Sequence, residues 1–288
     1  MLTPIINPAR GKLRVLGYCS GSGNTLWKAY ELQKQLEQTP EGSPFEIVGI
    51  FADKPDSKAV ATAQAYGVPY VAVDIRQYYA DRNKPLKDRE VRAEFDREVL
   101  EQVEQFQADM ILLAGYVWAT TDAVLDRYTV VNVHPADLAV TGEDGHRLLA
   151  GANGIKSAFS YDMDYLRASS HIATKELDAG PLLVRSPKVP VDYTLHTDEE
   201  ERFRYYLKLV NEQARLVGAR TVLELALGNF TVDDDGHLYY KGAPAPTGLC
   251  FESWEENKPF FERDRTKRRS NECLQLFFDD MRILACLY

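Results

Sequence analysis

The first 135 residues alternate between short apolar runs and segments with helical periodicity, and this alternation limits the folds that the chain can adopt. The run at 109–116, DMILLAGY, is apolar on both faces, as in a strand of a parallel sheet that helices cover on both sides. Strands are predicted at 13–18, 45–53, 68–74, 109–116 and in the run that ends at His134, with helices at 26–36, 57–66 and 88–106. We therefore expect an α/β fold with a doubly wound, mostly parallel sheet.

The remaining segments extend this expectation. Residues 75–87 are polar and are expected to form a loop, and a polar loop is also expected at 137–152. A helix is predicted near 153–166, strands at 170–175 and 181–191, a long helix at 198–227 and a hairpin at 230–240. The last segment, which includes the basic stretch 263–269, lacks clear periodicity and is expected to be an extra tail with a solvated basic face.

The strand that ends at 134 carries two residues suited to catalysis. Side chains alternate between the faces of a strand, so Asn132 and His134 are expected on one side, at the carboxyl end of the strand. Open α/β sheets place their chemistry at that end. A carboxamide can hold an oxyanion there, and an imidazole can move a proton near neutral pH. The alternative is a buried strand whose histidine is satisfied by a backbone carbonyl.

A glycine-rich turn follows the first predicted strand. Gly21, Ser22, Gly23 and Asn24 lie between that strand and the first helix, where free amides and the positive helix end form an anion site. The turn lacks the Lys-Ser/Thr pair of a Walker A loop and the spacing of a dinucleotide fingerprint. It is interpreted as a phosphate-binding turn, and the alternative is a turn needed only for tight strand-to-helix packing.

Composition excludes several classes of protein. The net charge of −9 argues against a nucleic-acid partner. No apolar run approaches the ~18–20 residues that span a bilayer, and the first residues lack the pattern of a signal peptide. The four cysteines (Cys19, Cys250, Cys273 and Cys286) show neither paired nor metal-like spacing. A cytoplasmic protein without a membrane or nucleic-acid partner is expected, and the sequence leaves its oligomeric state open.

Three motifs recur in order along the chain: Ser20-Gly21-Ser22-Gly23-Asn24, Asn132-Val133-His134-Pro135 and Leu177-Asp178-Ala179-Gly180-Pro181. Together with FADK at 51–54, LAGY at 113–116 and Ser170-His171, they resemble the 10-formyltetrahydrofolate-dependent formyltransferases, above all those that act on glycinamide ribonucleotide (phosphoribosylglycinamide formyltransferases). The similarity runs from about Arg14 to Leu249. It implies a catalytic domain at 1–249 and a C-terminal extension at 250–288.

The resemblance implies a mechanism and a set of site residues. An amine attacks the formyl carbon carried by 10-formyltetrahydrofolate, the co-substrate, and no metal or redox cofactor is needed. Asn132 and protonated His134 would stabilise the oxyanion, while Asp178 would hold His134 or an ordered water. Gly21, Ser22, Gly23 and Asn24 would bind the acceptor phosphate, and the folate would contact Val117, Trp118, Thr120, Leu177 and Ala179.

Two further residues match the family less directly. His171 matches a histidine near the catalytic centre, where it supports the site or serves the fold alone. Glu212 lies in the helix where relatives contact the acceptor, although a solvated helix face is the alternative.

The sequence also departs from the family pattern. Ala136-Asp137-Leu138-Ala139-Val140 replaces a proline-rich segment, Gly151-Ala152-Asn153-Gly154 stands where relatives often carry Gly-x-His, and Trp118 replaces a basic residue. The first two departures lie where acceptor recognition would be built. Formylation of another amine, such as an aminosugar nucleotide, and hydrolysis of formyltetrahydrofolate therefore remain alternatives.

More distant alternatives also stay open at this point. A methionyl-tRNA formyltransferase is disfavoured by the negative charge. A nicotinamide-dependent oxidoreductase would use Asp53 for a ribose, but the glycine spacing fails. Outside the enzymes, the alternative is a catalytically silent folate- or nucleotide-binding module.

Overall fold

A mixed sheet of eight strands runs through the computed structural model, which describes residues 1–195 and 198–253. The strands are β1 (Thr3–Pro4), β2 (Leu13–Cys19), β3 (Phe45–Ala52), β4 (Tyr70–Ala72), β5 (Met110–Leu113), β6 (Thr129–His134), β7 (Tyr165–Leu166), β8 (Ser169–Ile172), β9 (Leu182–Arg185), β10 (Val189–Pro190), β11 (Phe230–Val232), β12 (Leu238–Tyr240), β13 (Ala243–Pro244) and β14 (Leu249–Cys250). The helices are α1 (Asn24–Leu36), α2 (Lys58–Tyr66), α3 (Ile75–Asp81), α4 (Arg89–Val103), α5 (Asp122–Leu125), α6 (Gly154–Ser160) and α7 (Glu199–Ala226), with 3-10 turns at Pro8–Arg10 and Glu104–Phe106.

The strand order of the main sheet is β14-β9-β8-β6-β5-β2-β3-β4. The neighbours from β6 to β4 are parallel, and so are β14 and β9, whereas β8 runs antiparallel to both β6 and β9. The predicted α/β class with a mostly parallel sheet is therefore confirmed. The predicted hairpin is β11-β12, which joins β1 and β13 in a small antiparallel sheet.

Helices cover both faces of the main sheet and create two apolar cores. One core packs against α1, α2, α6 and α7, and the other packs against α3, α4 and α5. Strand β5 contributes to both, because Met110 and Leu112 face the first core while Ile111 and Leu113 face the second. This double burial is what the apolar run at 109–116 predicted.

The prediction of a loop at 75–87 is wrong for its first part, which forms helix α3. The Asp74 carboxylate accepts hydrogen bonds from the amides of Arg76 and Gln77 and so caps the helix. Ile75, Tyr78 and Tyr79 lie at helical spacing and are buried in the second core. The segment is mostly polar, so the short apolar face of this helix was not recognised from the sequence.

Two predicted elements are shorter than expected. The helix predicted near 153–166 ends at Ser160, since Asp162 adopts a left-handed backbone conformation and β7 follows. The strand predicted at 181–191 divides into β9 and β10, which join different sheets. The described chain continues through β14 to Ser253, so the expected C-terminal extension lies outside the described residues from position 254 on.

Three elements meet at Gly218, in the middle of α7. A Cβ atom at this position would lie 2.2 Å from Thr25 Cγ2 in α1 and 3.4 Å from Val133 Cγ2 in β6. Only a residue without a side chain lets α7 approach so closely. Because Thr25 follows the glycine-rich turn and Val133 separates Asn132 from His134, this contact sets the spacing between the two motifs.

We expect Gly218→Ala to destabilise the protein by ~1–3 kcal/mol through overpacking against Thr25. In a Thr25→Ala background the obstructing methyl group is gone, and the same substitution should be neutral or stabilising, because alanine favours helix over glycine. Urea unfolding of the four proteins measures both effects. An equal cost of Gly218→Ala in both backgrounds would contradict this account of the contact.

Candidate functional site

Four polar side chains converge at the carboxyl end of β6. Asn132 and His134 lie on one face of β6, as predicted, and the antiparallel register places His171 of β8 directly beside Asn132. Asp178 reaches them from the loop between β8 and β9. His134, His171 and Asp178 are buried, and Asn132 is half-buried.

Close packing of the β8–β9 loop brings Asp178 into this cluster. A Cβ atom on Gly180 would lie 1.8 Å from the Ile172 carbonyl oxygen, so the loop can fold back on β8 only with glycine there. Asp178 itself has φ 53°, in the left-handed region that aspartate tolerates better than most residues. Its carboxylate points inward while its neighbours Leu177 and Ala179 are exposed.

The Asp178 carboxylate is satisfied from several directions. Its Oδ1 accepts a hydrogen bond from Asn132 Nδ2 at 3.2 Å and lies 3.2 Å from His171 Nε2. Its Oδ2 accepts a hydrogen bond from the Gly151 amide at 2.8 Å and lies 3.7 Å from His134 Nδ1. The last distance is too long for a direct hydrogen bond, so His134 interacts with Asp178 through charge.

Acceptor-only partners fix one proton on each histidine. His134 Nε2 lies 2.9 Å from the Leu149 carbonyl oxygen, and His171 Nδ1 lies 2.9 Å from the Ile172 carbonyl oxygen. A carbonyl can only accept, so His134 Nε2 and His171 Nδ1 each carry a hydrogen. The alternative interpretation from the sequence, in which a backbone carbonyl satisfies a buried histidine, describes the hydrogen bond of His134 to Leu149. It does not account for the nearby Asp178 carboxylate.

The surroundings shift two pKa values downward. Burial lowers the pKa of His134 below its usual value, and the Asp178 charge only partly opposes this effect. Burial alone would raise the pKa of Asp178, but the hydrogen bond with His171, the charge of His134 and the Gly151 amide outweigh it and bring the pKa to about 2. Asp178 is therefore ionised at neutral pH.

The carbonyls of the glycine-rich turn are bound within the protein, whereas its amides are unpaired among the described residues. The carbonyls of Gly21, Ser22 and Gly23 accept hydrogen bonds from the Ala59 amide at 3.0 Å, Trp27 Nε1 at 2.9 Å and the Trp27 amide at 3.1 Å. The amides of these three turn residues have no acceptor within the described part of the chain. Helix α1 begins at Asn24 without a side-chain cap, so the turn provides unpaired donors at a helix N-terminus.

Ser20 connects the glycine-rich turn to the loop after β5, a link that the sequence analysis did not single out. Its hydroxyl accepts a hydrogen bond from the Val117 amide at 3.1 Å, and its own amide donates to the Gly115 carbonyl. Val117 is 74% exposed and Leu177, beside Asp178, is 67% exposed, which is unusual for such apolar side chains. Thr120 is half-buried in the same loop.

Trp118 and Glu212 stand apart from the cluster. Trp118 Nε1 donates a hydrogen bond to the fully buried Asp53 carboxylate at 2.5 Å, so Asp53 is not available to a ribose as a dinucleotide site would require. Glu212 accepts a hydrogen bond from Arg215 on the same helix at 2.7 Å. No hydrogen bond or ion pair joins Glu212 to Asn132, His134 or Asp178 within residues 1–195 and 198–253.

Sequence reasoning assigned parts of the loop between β6 and α6 to acceptor recognition but did not predict its contacts with His134 and Asp178. Its Gly151 amide, its Leu149 carbonyl and the Arg147 side chain all contact the Asp178–His134 pair or its main chain. A Cβ atom on Gly154 would lie 2.6 Å from the Leu149 carbonyl oxygen and 3.0 Å from His134 Nε2, which explains a glycine at the start of α6. The only sequence signal was the departure of this segment from the family pattern.

A family model described as "Formyl transferase" matches residues 13–212, which contain every candidate catalytic and phosphate-binding residue named above. The chain belongs to the formyl transferase family. It is an enzyme of this family, and the ordered motifs that the sequence analysis identified all lie within the matched residues. Among the described residues of this formyl transferase, no helix combines the length and apolar character needed to cross a membrane.

Individual relatives are similar at low identity. The phosphoribosylglycinamide formyltransferase of Mycobacterium tuberculosis (strain H37Rv) is 26% identical over 81% of this chain and 94% of its own length. The solved structure of the phosphoribosylglycinamide formyltransferase from Coxiella burnetii has a TM-score of 0.62 at 19% identity and covers 83% of this chain and 99% of its own. The formyltetrahydrofolate deformylase of Bacillus subtilis is 27% identical over 41% of this chain and 36% of its own length.

We expect Asp178→Asn to lower the free energy of unfolding at neutral pH by about 2 kcal/mol, because a pKa of about 2 lies well below that of the unfolded chain. The stabilisation by the ionised carboxylate is complete above about pH 4 and is lost as the pH falls towards about 2. The two proteins should therefore converge in stability on acidification. Urea unfolding over that pH range measures the difference, and Asp56→Asn, at an exposed position, is the control.

Proposed function

We propose that this enzyme transfers the formyl group of 10-formyltetrahydrofolate to the amine of glycinamide ribonucleotide, a step of purine synthesis. The observation that supports this most directly is the cluster of Asn132, His134 and Asp178 at the carboxyl end of β6. An ionised carboxylate and a carboxamide are hydrogen-bonded to each other there, and the imidazole lies 3.7 Å from the carboxylate. These are the groups needed to polarise a formyl carbonyl and to move a proton between two amines.

Charge stabilisation is the first task of these residues. His134 Nε2–H and one amide hydrogen of Asn132 are the donors that would stabilise the oxyanion. Asn132 Nδ2 lies 3.1 Å from His171 Nε2 and 3.2 Å from Asp178 Oδ1, so the formyl oxygen has to replace one of these partners. The His134 Nε2 proton is bound to the Leu149 carbonyl, so the formyl oxygen has to replace that carbonyl as its acceptor. Asp178 stays ionised and favours the protonated imidazole, which is the form that stabilises negative charge best.

Proton transfer is the second task. The attacking amine must lose a proton and N10 of the folate must gain one. His134 Nδ1 and Asp178 Oδ2 are 3.7 Å apart, a separation that a bridging water or a small movement of the imidazole can close. This supports Asp178 as the group that orients His134 or an ordered water. His171 holds the other carboxylate oxygen and would keep Asp178 in place.

The two substrates would contact different segments near this cluster. The exposed apolar side chains of Val117 and Leu177, with Thr120, Trp118 and Ala179, are proposed to contact the folate. The unpaired amides of Gly21, Ser22 and Gly23, with Asn24 at the start of α1, are proposed to bind the acceptor phosphate. Glu212 is proposed as a more distant acceptor contact.

The test is a spectrophotometric assay with a 10-formyl folate and glycinamide ribonucleotide, beside a sample without acceptor. Turnover that depends on the ribonucleotide supports the proposal. Turnover without acceptor favours the second candidate, a formyltetrahydrofolate hydrolase, which the similarity to the Bacillus subtilis deformylase supports. Activity only with another amine, such as an aminosugar nucleotide, would identify a formyltransferase with a different acceptor. Folate binding without any turnover would favour a catalytically silent binding module.

We expect His134→Ala and Asp178→Asn each to lower kcat by ~10²-fold or more, because each removes a group that stabilises charge or moves a proton. Folding should be tested by circular dichroism, and the assay is run at substrate saturation. Lys156→Ala, on the exposed side of α6, is the control with an unchanged rate. Rates like those of the unaltered enzyme in either site variant would rule out the proposed cluster.

Gly21 offers a clean test of the phosphate-binding turn. A Cβ atom there would meet nothing within 4 Å, and its φ lies outside the left-handed region, whereas Gly23 has φ 66° and a Cβ there would clash with Cys19. Gly21→Val should therefore fold normally but crowd the free amides. We expect the acceptor KM to rise about tenfold with the folate KM within about twofold, and Gly21→Ala to give a smaller rise. An unchanged acceptor KM would argue against phosphate binding at this turn.

A further inference from the structure

Arg147 holds the main chain around Asp178 with both ends of its guanidinium. Its Nη1 donates a hydrogen bond to the Asp178 carbonyl oxygen, and its Nη2 donates to the Gly180 carbonyl oxygen at 2.8 Å. These two carbonyls flank Ala179, so one rigid fork spans the turn that carries the carboxylate. No carboxylate accepts a hydrogen bond from Arg147 within the described residues.

The turn needs such support because Asp178 is in an uncommon conformation. Its φ of 53° costs a non-glycine residue on the order of 1 kcal/mol relative to ordinary backbone conformations. Gly180 anchors the far end of the turn against Ile172, but that contact does not reach the Asp178 carbonyl. Arg147 supplies the partner for that carbonyl and thereby sets the direction of the side chain.

A small hairpin delivers Arg147 to the turn. Thr141 and Arg147 form a bridge, the Gly142 amide donates to the His146 carbonyl at 2.9 Å, and the Leu148 amide donates to the Val140 carbonyl at 3.0 Å. A few residues later the same loop provides the Gly151 amide to Asp178 and the Leu149 carbonyl to His134. One loop therefore contacts the carboxylate, its main chain and the imidazole.

We propose that Arg147 is a positioning residue of this site, whose guanidinium fixes the Asp178 main chain so that the carboxylate stays within reach of His134, His171 and Asn132. Arg147 is half-buried, and burial lowers its pKa. Its guanidinium therefore loses part of the hydration free energy that an exposed arginine keeps. Lysine cannot reproduce the arrangement, because a single ammonium does not span two carbonyls with a planar fork.

A nuclear magnetic resonance titration of the Asp178 carboxyl carbon tests this without any substrate. The protein carries 13C-labelled aspartate, and the Asp178→Asn variant identifies the resonance. His171, His134, Arg147, the Asn132 amide and the Gly151 amide face this carboxylate, and His171, His134 and the Gly151 amide hold its pKa at about 2. In Arg147→Ala we expect the pKa to move back towards its usual 3.8, because the carboxylate loses its fixed distance to these donors.

Two further variants separate positioning from charge. Arg147→Lys keeps a positive charge but cannot make both main-chain hydrogen bonds. The pKa of Asp178 in this variant should therefore match that in Arg147→Ala. Arg127→Ala removes an exposed arginine that forms an ion pair with Glu104 instead of contacting the Asp178 turn. In this control variant the pKa of Asp178 should equal that of the unaltered protein. An Asp178 pKa that stays near its original value in both Arg147 variants would overturn the proposal.

A kinetic cycle provides the second measurement and rests on the proposed function. Arg147→Ala should lower kcat by roughly tenfold or more with the folate KM within about twofold, and in the Asp178→Asn background the same change should cost less than about twofold. Equal losses in both backgrounds would show that Arg147 does not act through Asp178. If no amine is formylated and no folate hydrolysed, the proposed function fails, whereas the titration still decides the role of Arg147.

Discussion

The site depends on one buried carboxylate and the donors that keep it ionised. Asp178 is only 5% exposed, and an isolated carboxylate at that depth would become protonated. Asn132, His171 and the Gly151 amide donate to it or lie at hydrogen-bond distance, and His134 adds a nearby charge. Strand β6, strand β8 and the loop before α6 are thereby tied to one side chain, so the chemistry and the local fold depend on the same interaction.

Packing then connects this cluster to the rest of the α/β layer. The close approach of α7 at Gly218 joins the start of α1 to Val133, between the two candidate catalytic residues of β6. Ser20 joins the glycine-rich turn to the loop after β5 through the Val117 amide. The proposed phosphate turn, folate loop and catalytic cluster thus share one rigid edge of the sheet. Substitutions at these contacts would alter the relative placement of the substrates without touching either of them.

Much of this arrangement could be predicted, and the failures have physical causes. Seven of the eight strands of the main sheet and the longest helix were predicted from periodicity, because they bury apolar faces, whereas the short strand β14 was not predicted. Helix α3 was missed because its three buried residues lie in a polar segment and its cap, Asp74, resembles a turn residue. The ordered motifs predicted that Asn132, His134 and Asp178 belong together, and the structure brings them into one cluster, with Asn132 hydrogen-bonded to Asp178 and His134 Nδ1 3.7 Å from the carboxylate. Glu212 was placed by resemblance alone, and its observed partner is Arg215.

The sequence by itself determined the fold class, the family and the residue types at the candidate site, since these depend on periodicity and on short motifs in fixed order. Only the tertiary structure decided which main-chain groups complete that site. The Leu149 carbonyl, the Gly151 amide and the Arg147 fork have no residue-type signature, because any amino acid offers a carbonyl and arginine is common in polar loops. Their role comes from a loop that folds across the sheet edge, a long-range contact that local sequence patterns do not encode.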